Sequence, residues 1–214
     1  MRTLLDRLES AAHHALDMGV DLIPESLRAK FRFDEREHAT AILAKDFPME
    51  FQDILDCLDA FWLKRSAILT PGGGRSPIPE AIDGFLQKGR GWNEQRFDTK
   101  IVVDGREIPS PTHKIDNFKN RVGVEVEWNN KTEFYDRDLN NFRLLRQLHV
   151  LSIGVIITRL TELQRLFITL NKGQSYGAST THWDKLIPKV DGGGAGGCPL
   201  LLVGMGLNCY RPDE

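Results

Sequence analysis

Between Lys114 and Arg143 the chain reads KIDNFKNRVGVEVEWNNKTEFYDRDLNNFR, and this stretch limits the fold more than any other. Val124 and Val126 alternate with Glu125 and Glu127. A β-strand sends successive side chains to opposite faces, so the two glutamates share one face, with Cα atoms roughly 7 Å apart. The valines share the other face and point into a core. Asp116 precedes the strand, and the intervening turn brings it close. Carboxylates gathered in this way repel one another unless something positive sits between them. A hard divalent cation with oxygen ligands meets that need, and Mg²⁺ is the default choice. An exposed strand with a polar outer face would carry the same alternation, so spacing alone leaves both readings open.

Asp116, eight residues, and then Glu125-Val126-Glu127 resembles the PD-(D/E)xK nuclease signature. The longer string EVEWNNKTEFYDRDLNNFR, with VLSIGVIITR and STTHWDKLIPKVDGGGAGGCPLLLVG further on, resembles the BglII/BstYI family of type II restriction endonucleases. The similarity runs from about Arg96 to Leu207. Ile115 stands where the general signature has proline. Glu127 stands where most of the superfamily has lysine and one family member has glutamine.

The resemblance implies hydrolysis of phosphodiester bonds at a short palindromic site in double-stranded DNA, with a GATC core and 5′-phosphate products. It implies a homodimer, and a cognate DNA methyltransferase in the same system that is not a bound partner. Asp116, Glu125 and the main-chain carbonyl of Val126 would hold Mg²⁺, and Glu127 would position or deprotonate the attacking water. Asn129 and Asn130 would read bases in the major groove, with Lys131 beside them. An Asn-Asn pair is also a turn former. Ser175, Ser179 and Thr180 would reach the outer bases, although they could equally cap the helix that follows. Lys114, with His113, Lys119 and Arg121, would hold phosphates or else be solvated surface charge. A repair or structure-specific nuclease of the same fold, or a catalytically inactive DNA-binding module, fits the same residues.

The charge distribution bears on the DNA reading. The chain of 214 residues has a formal net charge of −2, which does not mark a generic nucleic-acid binder. Residues 112–190, however, hold 12 Lys and Arg against 8 Asp and Glu, a balance of +4 around the candidate site. Residues 1–111 hold 15 against 19, a balance of −4. Phosphates would have to sit over the basic part. No apolar run reaches membrane-spanning length, and MRTLLDRLES is no signal peptide. Cys57, Cys198 and Cys209 are odd in number and widely spaced, as expected for reduced thiols in a cytoplasmic protein.

The remaining pattern predicts an α/β fold, a mixed central sheet flanked by helices, with a mainly helical part at 1–95 and a nuclease core at 96–214. Helices are expected at 3–18, over PESLRAKF, at 35–46, at 49–68 with an aromatic stripe, and at 79–88, where Gly89 ends the helix. TPGGGRSPIP reads as a connecting loop whose Arg75 and Ser76 could touch a DNA backbone. FDTKIVVDGREI reads as a hairpin turning at Asp104-Gly105. After the site strand, Asp136 or Asp138 caps a helix running to about Leu148. VLSIGVIITR is a strand buried on both faces. Thr161 caps the helix ELQRLFITL, HWDKLIPKV is a short helix, and PLLLVGMGL is a last buried strand.

Overall fold

A computed structural model describes residues 19–71 and 76–213. The helix expected at 3–18 and Arg75 lie outside the described residues. The fold is a six-stranded mixed sheet with helices on both faces, as the strand and helix pattern predicts. The strands are β1 (Phe31–Arg36), β3 (Asn93–Gln95), β6 (Ile115–Lys119), β7 (Val122–Glu127), β8 (Ile153–Arg159) and β9 (Leu200–Met205). Their order across the sheet is β1-β9-β8-β7-β6-β3. The three central strands β7, β8 and β9 run parallel, and β1, β6 and β3 are antiparallel to their neighbours. Two short ribbons stand apart, β2 (Leu63–Lys64) with β10 (Tyr210–Arg211), and the hairpin β4 (Asp98–Val103) with β5 (Arg106–Pro111).

The central strands are buried along their whole length, because helices cover both sides. On one face Val122, Val124, Val126, Ile153, Val155, Ile157, Leu201 and Val203 meet the helices α2 (Ala39–Asp46), α3 (Pro48–Ala60), α5 (Pro77–Arg90) and α7 (Leu163–Thr169). On the other face Ile156, Leu200 and Leu202 meet Leu139, Phe142 and Leu145 of α6 (Glu133–Gln147) and Trp183, Leu186 and Val190 of α8 (Trp183–Asp191). The remaining helices are α1 (Glu25–Lys30) and α4 (Arg65–Leu69). Glycine at 154 lets α6 approach β8 closely, since a Cβ there would lie 2.4 Å from the Phe142 ring.

Several boundaries differ from expectation. The helix expected at 35–46 is shorter, and the residues before it form edge strand β1, paired with β9. Alternation of Phe31, Phe33 and Glu35 with charged residues is weak, and pairing with the apolar β9 overrides local propensity. The helix expected at 49–68 stops at Ala60, followed by β2 and α4. The helix expected at 79–88 begins earlier, at Pro77, with the Ser76 hydroxyl capping it, and Gly89 at φ 82° interrupts it. The Asp104-Gly105 turn forms as expected, with both residues at positive φ. The strand expected at 150–159 forms over Ile153–Arg159.

Candidate active site

The site is built on the hairpin of β6 and β7. Asn120 (φ 43°) and Arg121 (φ 70°) make a two-residue turn of left-handed residues, the conformation that matches the twist of paired strands. Lys119 pairs with Val122 and Asn117 with Val124, which sets Asp116 beside Glu125. Asp116 is thus on a strand of its own, not merely in a turn before one. Its backbone N–H donates to Glu125 Oε2 at 3.2 Å, and its Oδ2 accepts from the Val126 N–H at 3.2 Å. The two carboxylates and the Val126 main-chain N–H therefore lie side by side.

Glu125 and Glu127 share a face, as the alternation requires, but that face is not solvent. It is the face covered by α6, and both glutamates are 1% exposed. An exposed strand with a polar outer face is therefore excluded. Thr158 of β8 donates to the Glu127 carbonyl at 2.7 Å and shares a hydrogen bond with the Tyr135 hydroxyl, which fixes the end of β7 against α6.

From α6 comes a fourth carboxylate, Asp138, which is fully buried. The helix starts at Glu133, a turn earlier than expected, so neither Asp136 nor Asp138 caps it. Asp136 instead pairs with Lys189 at 2.6 Å. Arg137 donates to Asp138 Oδ1 at 2.8 Å and approaches Glu127 Oε1 at 3.5 Å. Arg137 thus brings a guanidinium beside Glu127 and Asp138. Asp138 lies on the apolar stripe of Tyr135, Leu139, Phe142 and Leu145, and a charge on such a stripe is the sequence signal that marks it.

Burial and mutual repulsion set the electrostatics. Burial, and then the charges of Asp138 and Asp116, hold the Glu125 carboxyl well above its ordinary range. Burial and the charge of Asp138 push Glu127 up to about 9, and burial pushes Asp138 up to about 6. Glu125 Oε1 is buried without a hydrogen-bond partner, while Asp138 shares a hydrogen bond with Glu127. A buried carboxylate oxygen without a donor is costly, and a divalent cation would relieve both the repulsion and the missing partner. Among the described residues, no group of three or more His, Cys, Asp or Glu side chains is arranged to hold a metal ion. The expected ligand set asks for less: two carboxylates, from Asp116 and Glu125, with a main-chain carbonyl.

Asp116 and Val126 also line a cleft of about 410 Å³ with Asn129, Asn130, Tyr176, Ser76 and Asp83. Asp83 of α5 is buried and accepts from Asn117 at 2.6 Å, a contribution that sequence spacing did not reveal. At the mouth of this cleft the two segments expected to read bases meet. Asn129 donates to the Ser175 carbonyl at 3.0 Å, Thr132 to the Ser179 carbonyl at 2.9 Å, and Lys131 bridges to Thr180. The Asn130 N–H donates to Thr181 Oγ1, and the Thr181 N–H donates back to the Asn130 carbonyl. The Asn130 side chain donates to Glu127 Oε2 at 2.9 Å, joining the reading segment to the acidic group.

The basic residues near the site divide. Lys119 is engaged with Asp53 at 2.8 Å, on the face away from the carboxylates, so it is not poised for phosphate. Lys114 pairs with Glu94 at 2.5 Å on the surface, where the pair is weak and a phosphate could displace the glutamate. His113 lies at the surface, and partial desolvation of its ring, with the charge of Arg137, lowers its pKa. The three cysteines are free and buried, with Cys57 and Cys198 pushed up to about 12 by burial, which disfavours the thiolate. Among the described residues no helix is long and apolar enough to cross a membrane.

Residues 31–205 of the chain match the model of the family described as restriction endonuclease BglII/BglIII. No curated protein sequence matches the chain significantly.

Proposed function

We propose that this chain, which belongs to the restriction endonuclease BglII/BglIII family, cuts a short palindromic site in double-stranded DNA, using the β6–β7 carboxylates as its catalytic group and leaving 5′-phosphates. The observation that carries this reading is the hydrogen-bonded grouping of Asp116, Glu125 and Val126, with Asp116 and Val126 lining a cleft that Asn129 and Asn130 also line. A catalytic group on β7 and a base-reading segment that follows it after Trp128 alone would lock cleavage to recognition.

Asp116 and Glu125, with the Val126 carbonyl, would hold Mg²⁺. Bound there, the ion would neutralise the scissile phosphate, lower the pKa of a water and stabilise charge on the leaving oxygen. The chain's own groups do the rest. Glu127 orients the water, held in place by Asn130 and Arg137. Arg137 adds positive charge beside the developing phosphorane, a charge that cannot be lost by deprotonation. Asn130 presents an amide able to pair with a base edge, and Asn129 and Lys131 flank it. Ser175, Ser179 and Thr180 extend the same rim outwards towards further bases, and Lys114 holds a backbone phosphate. Recognition of a GATC-cored palindrome matches a two-fold homodimer. A methyltransferase of the same specificity would protect the host DNA.

Digestion of plasmid DNA with Mg²⁺ tests the reading. Discrete fragments with ligatable 5′-phosphate ends are expected, and none with EDTA. Smearing, or preference for branched substrates, would favour a structure-specific nuclease. No cutting under any divalent ion would leave a DNA-binding module.

A further inference from the structure

We infer that Arg159, at the end of β8, is a positioning residue for specificity, which holds the rim segment Tyr176–Thr180 in its reading conformation from beneath. Its side chain is 1% exposed, and among the described residues no carboxylate pairs with it. Its Nη2 donates to Thr180 Oγ1 at 3.0 Å, to the Gly177 carbonyl at 3.3 Å and to the Tyr176 carbonyl at 3.4 Å. One guanidinium nitrogen therefore gathers three oxygens of a single short loop. The cation also lies 5.3 Å from the centre of the Phe167 ring, which stacks on Tyr176 at 4.5 Å. Trp128, the residue before Asn129, packs edge-on against both rings.

Stability does not explain an arginine here. Every other strand position on β8 from Ile153 to Ile157 is apolar or glycine, and a buried charge costs free energy that a well-packed apolar side chain would not. Burial lowers the arginine pKa to about 10, and its Nε has no partner. What the arginine supplies, and an apolar residue cannot, is a rigid planar donor that fixes loop carbonyls and a threonine hydroxyl relative to one another. The loop it holds is the one whose Thr180 bridges to Lys131 and whose Ser175 accepts from Asn129.

The inference rests on the reading of Ser175–Thr180 as part of the base-reading rim. Its test compares Arg159→Met and Arg159→Lys with the wild type. Cleavage rates are measured at the cognate site and at sites differing by one base pair, with thermal melting and non-specific DNA affinity measured in parallel. Arg159→Met should lose discrimination by roughly 10- to 100-fold, the scale of one well-placed base contact, with non-specific affinity little changed. Arg159→Lys, which keeps the charge but not the planar donor, should recover part of it. A folded Arg159→Met with wild-type discrimination, or with equal losses at all sites, overturns the inference. Should Arg159→Met fail to fold, full wild-type discrimination in Arg159→Lys overturns it instead. A wild-type protein that cuts at no discrete site would overturn the proposed function and this role together, whereas a specific wild type with equally specific variants would overturn the role alone.

Discussion

Glu127 ends β7, buried beside Asn130 and Arg137, and its surroundings bear on its role. Its two carboxylate oxygens accept from Asn130 and Arg137, so both are already oriented. If Glu127 only orients a water, Glu127→Gln keeps an acceptor in the same place, and single-turnover cleavage should largely survive. A general base would instead lose roughly 10²–10⁴-fold. We expect survival, and a loss of that size that no Mg²⁺ concentration restores would contradict it. Asn130 links the acid to the rim, so Asn130→Ala should reduce cognate cutting more than it reduces non-specific binding. Losing a base contact should cost roughly 1–3 kcal/mol of discrimination, whereas phosphate-dominated affinity follows charge. Equal losses on cognate and random DNA would show that Asn130 reads no base.

At the scale of elements, the close approach of α6 to the sheet is what buries the acids. Gly154→Ala would push a methyl into the Phe142 ring and towards Leu200, and should destabilise by about 1–3 kcal/mol. A melting temperature unchanged by that substitution would mean that α6 does not sit so close. Much of this arrangement could be read from the chain. The alternation of Val124, Glu125, Val126 and Glu127 set both the strand and the shared face, because a period of two has only one geometric solution. The β-branched run at 153–157 announced a strand buried on both faces. Three things were not legible. β1 is held by pairing with β9 across nearly the whole chain, and its own alternation is too weak to declare a strand. β6 pairs through an Asn-Arg turn, which lacks the glycine that marks most tight hairpins. Asp138 is one carboxylate among several on its helix, and only the packing of α6 against β7 shows that it joins the site.

For the molecule as a whole, the buried acids make stability depend on pH. Glu127 has a folded pKa of about 9 against an ordinary 4.5, so it keeps its proton when folded and loses it when unfolded. Its contribution is therefore fully present below about pH 4.5 and is lost as pH rises through 9. Glu125 shifts in the same direction. Metal-free protein should melt at progressively lower temperature from pH 6 to pH 9, and Mg²⁺ should raise the melting temperature most at the upper end. Melting that is flat in pH and insensitive to Mg²⁺ would place the ion elsewhere. A palindromic site also calls for two copies of the chain, and sedimentation at micromolar concentration with cognate DNA should show a symmetric dimer on the duplex. The central claim is that the β6–β7 carboxylates perform the cleavage. The most direct measurement pairs cleavage with DNA binding for Asp116→Ala and Glu125→Ala at millimolar Mg²⁺. On the proposed assignment each would remove a metal ligand and a negative charge near a phosphate, so cleavage should vanish while binding to the cognate duplex holds or tightens. Retained cleavage by either folded variant would contradict the assignment.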